Sequence, residues 1–162
     1  AQGWALDVVG ACAPANMPYL VELTALAGNA PVTFHANASH EQLRSLYARA
    51  RLYWHAQGYG EDSSAHPETQ EHFGITTVEA MSAGCIPVVI DTAGPREVVE
   101  QVQGVDRWIG LDGLATETRR LASSTAAELD QLAEECRSRA DDFSPVAFAV
   151  ALRSLLNGIE AR

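Results

Sequence analysis

The 162-residue sequence contains no lysine, so all eleven of its basic residues are arginine. Acidic residues outnumber them, and the formal net charge is -10 at pH 7. Sequence-independent binding to nucleic acid requires a basic surface that displaces counterions from phosphates, so no nucleic-acid partner is expected. A phosphorylated small molecule is compatible with this charge, because a few backbone N–H groups are enough to hold one.

Cysteine is scarce as well: Cys12, Cys85 and Cys136 are widely spaced, and no CxxC pair occurs. Neither a zinc site nor a disulfide framework is indicated, and the histidines show no paired spacing typical of metal ligands. The sequence also lacks an apolar run long enough to span a membrane and a leader with a basic start and an apolar centre. These absences predict a cytoplasmic protein with reduced thiols.

Short apolar runs alternate with helix-like segments, which is the pattern of an α/β fold with a parallel sheet and helices on both faces. The predicted strands cover 4–10, 31–36, 51–56 and 85–90, with a short strand near 107–110, and the predicted helices cover 19–28, 74–83, 115–122, 125–139 and 144–158. Another helix follows Ser39, which forms a capping-box pattern with Gln42. The length suits one domain, 1–162, closed by a helix in 143–162 whose apolar face is expected to pack on the core.

The stretch HPETQEHFGITTVEAMSAGCIPVVIDTAG, residues 66–94, carries the strongest functional signal. Glu71 and Glu79 flank a predicted helix start, and Gly74 between them has no side chain to keep a ligand from the backbone. The first amides of a helix lack intrahelical partners and carry partial positive charge, which favours phosphate. Glu79 can accept hydrogen bonds from a vicinal diol such as ribose, and Glu71 can meet another part of the same ligand. Both glutamates also favour the helix dipole without any ligand, so their spacing alone leaves binding open.

The same stretch resembles the donor-binding motif of retaining glycosyltransferases with the GT-B architecture, the group 1 glycosyl transferases. The matching features are two glutamates with seven residues between them, Phe73-Gly74, Glu79-Ala80-Met81, Gly84, Pro87-Val88-Val89, Gly94 and Glu97. The segment before it, with a strand, a helix and a second strand, is similar to the preceding family segment. The resemblance covers residues 4–100 well, whereas Pro145 replaces the tryptophan of the family's closing helix.

The resemblance implies a Rossmann-like domain, one half of a GT-B fold, that serves transfer of a sugar from a nucleotide diphosphate sugar to a sugar, glycan or lipid acceptor. It implies that Glu71 is catalytic and contacts the transferred sugar, and that Glu79 holds the ribose. The implied donor-binding residues are His72, Phe73, Gly74, Ile75, Thr76, Glu79 and, more weakly, Asn37. The co-substrate is expected to carry UDP or GDP, and neither a cofactor nor a metal is expected.

The chain also departs from the family. The family's first βα unit and its N-terminal Rossmann-like domain have no counterpart here, so a partner domain is expected, and the isolated chain is not expected to turn over. Membrane association is expected only at the surface, through that missing half. A nucleotide or nucleotide-sugar binding module without transfer, and a GT-B epimerase or phosphorylase relative, stay open as alternatives. His55, at the end of a predicted strand, is a candidate for either the ligand crevice or the core.

Overall fold

The computed structural model describes residues 3–160. Residues 1, 2, 161 and 162, at the ends of the predicted domain and of its closing helix, lie outside the described residues. The described chain divides after Arg49 into two compact units. In each of them a helix lies between two strands that pair in parallel, which confirms the predicted α/β class.

The first unit consists of β1 (Leu6–Gly10), α1 (Met17–Ala27), β2 (Val32–Ala36) and α2 (His40–Arg49). The strands β1 and β2 pair in parallel, beginning with Leu6 opposite Val32. Parallel neighbours need a long crossover connection, and α1 provides it. The capping box at the start of α2 is confirmed, because the Ser39 amide donates to the Gln42 side chain at 2.8 Å and the Gln42 amide donates to the Ser39 hydroxyl at 3.2 Å.

The second unit consists of β3 (Leu52–His55), α3 (Ile75–Ser82), β4 (Ile86–Val89), α4 (Ala93–Val99), α5 (Gly110–Ala122), α6 (Ala126–Asp141) and α7 (Pro145–Glu160). The strands β3 and β4 pair in parallel, with His55 opposite Val89 at their carboxyl ends. Every residue of β4 is buried, as expected for an apolar run without polar alternation. Ligands of parallel α/β sheets bind beyond the carboxyl ends of the strands, where the loop after β3 leads into α3.

The core of the second unit forms around β4. Its buried apolar side chains come from α3, β4, α4, α5 and α6, and include Met81, Val88, Leu121 and Cys136. Trp108 is fully buried in this cluster, and its indole N–H donates to the carbonyl of Val88 at 3.2 Å. The core therefore covers one face of α3 and holds that helix in place beside the end of β3.

Two details of the predicted organisation are wrong. Near 107–110 the chain forms a single bridge between Ile90 and Trp108 instead of a strand, because Gly110, at a φ of 73°, turns the backbone into α5. The apolar face of α7 does not pack on the core, and Phe148 on that face is 67% exposed. Helical periodicity shows that a face is apolar, but it does not show which surface covers it.

Candidate functional site

The loop between β3 and α3 ends at Gly74, which has a φ of 90° and a ψ of 46° in the left-handed region. A side chain would be strained in this conformation, and a Cβ atom would lie 3.5 Å from Cγ of Pro95. Glycine therefore lets the chain turn sharply into α3. The predicted helix start is confirmed to within one residue, since α3 begins at Ile75.

The amides at the start of α3 fall into two pairs. The carboxylate oxygen Oε1 of Glu71 accepts hydrogen bonds from the Phe73 and Gly74 amides at 3.3 and 3.1 Å. The amides of Ile75 and Thr76 donate to no acceptor in the part of the chain that the structure describes, and both residues are exposed. An anion can therefore reach two unpaired N–H groups at the positive end of the helix dipole.

One face of the helix α3 is exposed to solvent. Glu79 and Ile75 are exposed, whereas Thr77 and Ala80 are fully buried. Residues four apart lie on the same side of a helix, so Glu79 lies on the side where the open amide of Ile75 begins the helix. Glu71 is half-buried and lies just before the helix. The two glutamates thus flank the open amides.

Two side chains of β3 lie close enough to the glutamates to interact with them electrostatically. The Tyr53 hydroxyl donates to Oγ1 of Thr76 at 2.7 Å. Burial raises the pKa of Tyr53, and the negative charges of Glu71 and Glu79 also act to raise it. Burial lowers the pKa of His55, whereas the charge of Glu71 acts in the opposite direction. The end of β3 therefore places a protonated phenol and a neutral imidazole beside the carboxylates.

The loop that carries Glu71 packs directly on the start of α4. The Gly94 amide donates to the backbone carbonyl of Glu71 at 3.0 Å. A Cβ atom on Gly94 would collide with the carbonyl of His72 and with the Cα atom of Phe73. The Phe73 ring also contacts the ring of Phe143 edge to face, with 5.7 Å between their centroids. The position of the glutamate loop thus depends on the absence of a side chain at Gly94.

The polar loop after β3 is anchored at both of its ends. Gly58, at a φ of 84°, lies against the side chain of Gln70, which is buried. The Tyr59 ring packs on Trp108 with 5.6 Å between centroids. Gln70 immediately precedes Glu71, so these contacts also restrict where the glutamate loop can lie.

Asn37 lies in the first unit, at the end of β2. Its backbone is left-handed, with a φ of 55°. Its side chain accepts a hydrogen bond from the Cys12 amide at 2.9 Å and donates to the Cys12 carbonyl at 3.0 Å. These bonds tie the end of β2 to the loop after β1, which is a structural role. The donor-binding role of Asn37 stays a prediction.

The structure brings the other predicted site residues together at the start of α3, namely Glu71, His72, Phe73, Gly74, Ile75, Thr76 and Glu79. Sequence reasoning missed Tyr53 as a member of this group. The available signal was its spacing, because Tyr53 precedes His55 by two residues and so lies on the same face of β3. The distance between the two ring centroids is 6.4 Å.

Residues 3–160 contain neither a metal-binding cluster nor a membrane-spanning helix. No group of three or more His, Cys, Asp or Glu side chains in this range could hold a metal ion. None of the helices in this range combines the length and the apolar character that a membrane span requires.

Comparison with known proteins gives three findings. The family model described as "Glycosyl transferases group 1" matches residues 2–144. The chain is 38% identical over 66 residues to the GDP-Man:Man(3)GlcNAc(2)-PP-Dol alpha-1,2-mannosyltransferase of Dictyostelium discoideum, a match that covers 41% of this chain and 11% of the relative. It is similar to the solved structure of a sucrose-phosphate synthase from Thermosynechococcus elongatus, with a TM-score of 0.67 and 23% identity, over 96% of this chain and 38% of that one.

The structural likeness concerns the fold alone, and it confirms the Rossmann-like half of a GT-B architecture that the sequence predicted. The chain spans well under half the length of both proteins that it matches.

Proposed function

This chain belongs to the glycosyl transferases group 1 family, and we propose that it is the donor-binding half of a retaining glycosyltransferase. The proposal rests on the start of α3, where the open amides of Ile75 and Thr76 lie between Glu71 and Glu79. Such a helix start attracts phosphate, and the carboxylates on either side can accept hydrogen bonds from sugar hydroxyls. The ligand class that combines these groups is a nucleotide diphosphate sugar.

In the proposed complex, the diphosphate binds the amides of Ile75 and Thr76. Glu79 accepts hydrogen bonds from the two ribose hydroxyls, and Glu71 faces the transferred sugar. The backbone of 72–74 approaches the sugar closely, which the absence of a side chain at Gly74 allows. The donor-binding role of Asn37 rests on the family resemblance.

The proposed reaction retains the configuration of the sugar. The bond between the anomeric carbon and the diphosphate oxygen breaks, and the acceptor oxygen bonds to that carbon from the same face. The proton of the acceptor hydroxyl passes to the departing phosphate oxygen, so charge and atoms balance. The dipole of α3 and its open amides stabilise the departing diphosphate, while the carboxylate of Glu71 stabilises positive charge on the sugar. Neither a cofactor nor a metal takes part in this scheme.

The proposal also includes the donor nucleotide, the acceptor and the location of the enzyme. The donor carries UDP or GDP, and GDP is the first choice because the similar Dictyostelium protein is named for GDP-Man. The acceptor is a sugar, glycan or lipid, bound mainly by an N-terminal Rossmann-like domain that completes the active site. The enzyme is cytoplasmic, and any membrane contact is made at the surface through that other domain.

Replacing Glu79 by alanine is expected to weaken binding of the nucleoside diphosphate by about 1 to 3 kcal/mol, the cost of losing hydrogen bonds to a charged acceptor. Calorimetric titration of the 162-residue chain with GDP, UDP and ADP measures this difference. The wild-type chain should bind one of the three selectively, and the variant should bind it more weakly.

The matched control is Glu100→Ala, which removes the same charge from an exposed position at the end of α4. It should bind as tightly as the wild-type chain. Equal affinities of Glu79→Ala and the wild-type chain would contradict the ribose assignment. No binding of any diphosphate by the folded chain would contradict the proposed function of this domain on its own.

Replacing Glu71 by glutamine should separate recognition of the sugar from recognition of the nucleotide. The amide keeps one oxygen that can accept from the Phe73 and Gly74 amides, but it removes the negative charge that faces the sugar. Affinity for free GDP or UDP should stay within about twofold, while affinity for the sugar-bearing donor should fall about tenfold, the scale of one charge-assisted hydrogen bond. Competition titrations with both ligands test this, and an equal loss for both would exclude a sugar-specific role.

A further inference from the structure

Tyr53 and Thr76 share one short hydrogen bond between two hydroxyl groups, with 2.7 Å between their oxygens. Only one of the two protons lies in such a bond. A phenol is a much stronger acid than an aliphatic alcohol, so Tyr53 donates and Thr76 accepts. The phenol also keeps its proton at neutral pH, because the pKa of a phenol is about 10 and burial and the charges of Glu71 and Glu79 raise the pKa of Tyr53 from that value.

This bond determines what the Thr76 hydroxyl can do. With one lone pair of Oγ1 occupied by Tyr53, the Thr76 O–H has to point in another direction. It donates to no other residue within 3–160, and Thr76 is exposed at the second position of α3. The threonine therefore offers a hydroxyl proton to solvent on the helix turn that also carries the open amides of Ile75 and Thr76.

We propose that Tyr53 is a positioning residue that turns the Thr76 hydroxyl into a third hydrogen-bond donor for the diphosphate of the donor substrate. The inference rests on the proposed function, because it concerns the same helix start. A diphosphate offers several charged acceptor oxygens, and two amides alone leave most of them without a protein donor. Tyr53 itself does not touch the ligand, since its hydroxyl is engaged with Thr76.

The test is a double-mutant cycle on GDP and UDP affinity, measured by calorimetry with the 162-residue chain. Tyr53→Phe removes only the phenolic oxygen and should weaken binding of the preferred diphosphate about fivefold, the scale of one net hydrogen bond. Thr76→Val should weaken it at least as much, whereas Thr76→Ser keeps the hydroxyl and should bind almost as the wild-type chain does. The combination Tyr53→Phe with Thr76→Val should bind no more weakly than Thr76→Val alone.

A purely structural role of Tyr53 would give a different pattern. Its loss would then add to that of Thr76→Val, and the melting temperature would fall with the affinity. Additive losses, or an unchanged affinity of Tyr53→Phe, would overturn the inference. Weaker binding by Glu79→Ala would still support the proposed function in that case. If Tyr53→Phe does not fold, the threonine pair decides, because equal affinities of Thr76→Val and Thr76→Ser would overturn the inference as well.

Discussion

Replacing Trp108 by alanine is expected to destabilise the second unit by about 3 to 5 kcal/mol, the range for large aromatic side chains in protein cores. Trp108 is fully buried between β4 and α5, so the change leaves a cavity among well-packed neighbours. It also leaves the carbonyl of Val88 without its indole donor and Tyr59 without its ring partner. Since native domains are stable by only about 5 to 15 kcal/mol, this single change removes a large share of the stability.

Thermal and urea denaturation of the 162-residue chain measure this loss. The melting temperature should fall by roughly 10 °C, at about 2 to 4 °C per kcal/mol for a chain of this size. Trp54→Ala is the matched control, because Trp54 is 42% exposed and its loss should cost far less. Trp108→Phe, which restores most of the buried ring, should lie between the two. Equal midpoints for Trp108→Ala and Trp54→Ala would show that the core does not depend on Trp108.

Replacing Gly94 by alanine is expected to cost about 2 to 3 kcal/mol of stability, at the upper end of the range for overpacking. Two effects compete, because alanine favours a helix over glycine by up to about 1 kcal/mol. The steric effect wins, since the new methyl group would collide with backbone atoms of His72 and Phe73, which cannot rotate away as a flexible side chain can. The glutamate loop has to move, and Gly94 then loses its hydrogen bond to the Glu71 carbonyl.

This loop movement should also reduce affinity for GDP or UDP, because the glutamate loop is then no longer aligned with the ligand. The expected loss is about tenfold, which corresponds to about 1.4 kcal/mol of binding free energy. Calorimetry together with thermal denaturation separates the two effects. Gly158→Ala is the matched control: it makes the same change within α7, where a Cβ atom meets no other atom within 4 Å. That variant should be as stable as the wild-type chain or slightly more stable. A Gly94→Ala chain with wild-type stability and affinity would mean that the loop tolerates a side chain behind it.

Local patterns in the sequence were enough for the order and type of most elements. The apolar run 85–90 was predicted as a doubly buried strand, and β4 is buried at all four positions. The pattern at Ser39 and Gln42 predicted a capping box whose two hydrogen bonds are present. Such features depend on residues close together in the chain. The same is true of Gly74, where a turn into α3 needs a residue that tolerates a positive φ.

Contacts between segments distant in sequence could not be predicted in this way. The periodicity of α7 showed an apolar face, but its exposure depends on which elements lie near it. The stretch near Trp108 suggested a strand, but its pairing with Ile90 is limited to one bridge, because the backbone turns into α5 at Gly110. Periodicity describes one element at a time, whereas burial is a property of several elements together.

In the candidate site as well, local spacing could be predicted from the sequence, whereas contacts between distant segments could not. The sequence by itself determined that Glu71, Gly74 and Glu79 surround a helix start, because this placement follows from residue spacing along one segment. Only the tertiary structure decided that Tyr53 donates to Thr76 and that the glutamate loop rests on Gly94. These contacts bring together residues about twenty positions apart or more, from a strand, a loop and two helices. The periodicity of one element gives no information about its distance from another element.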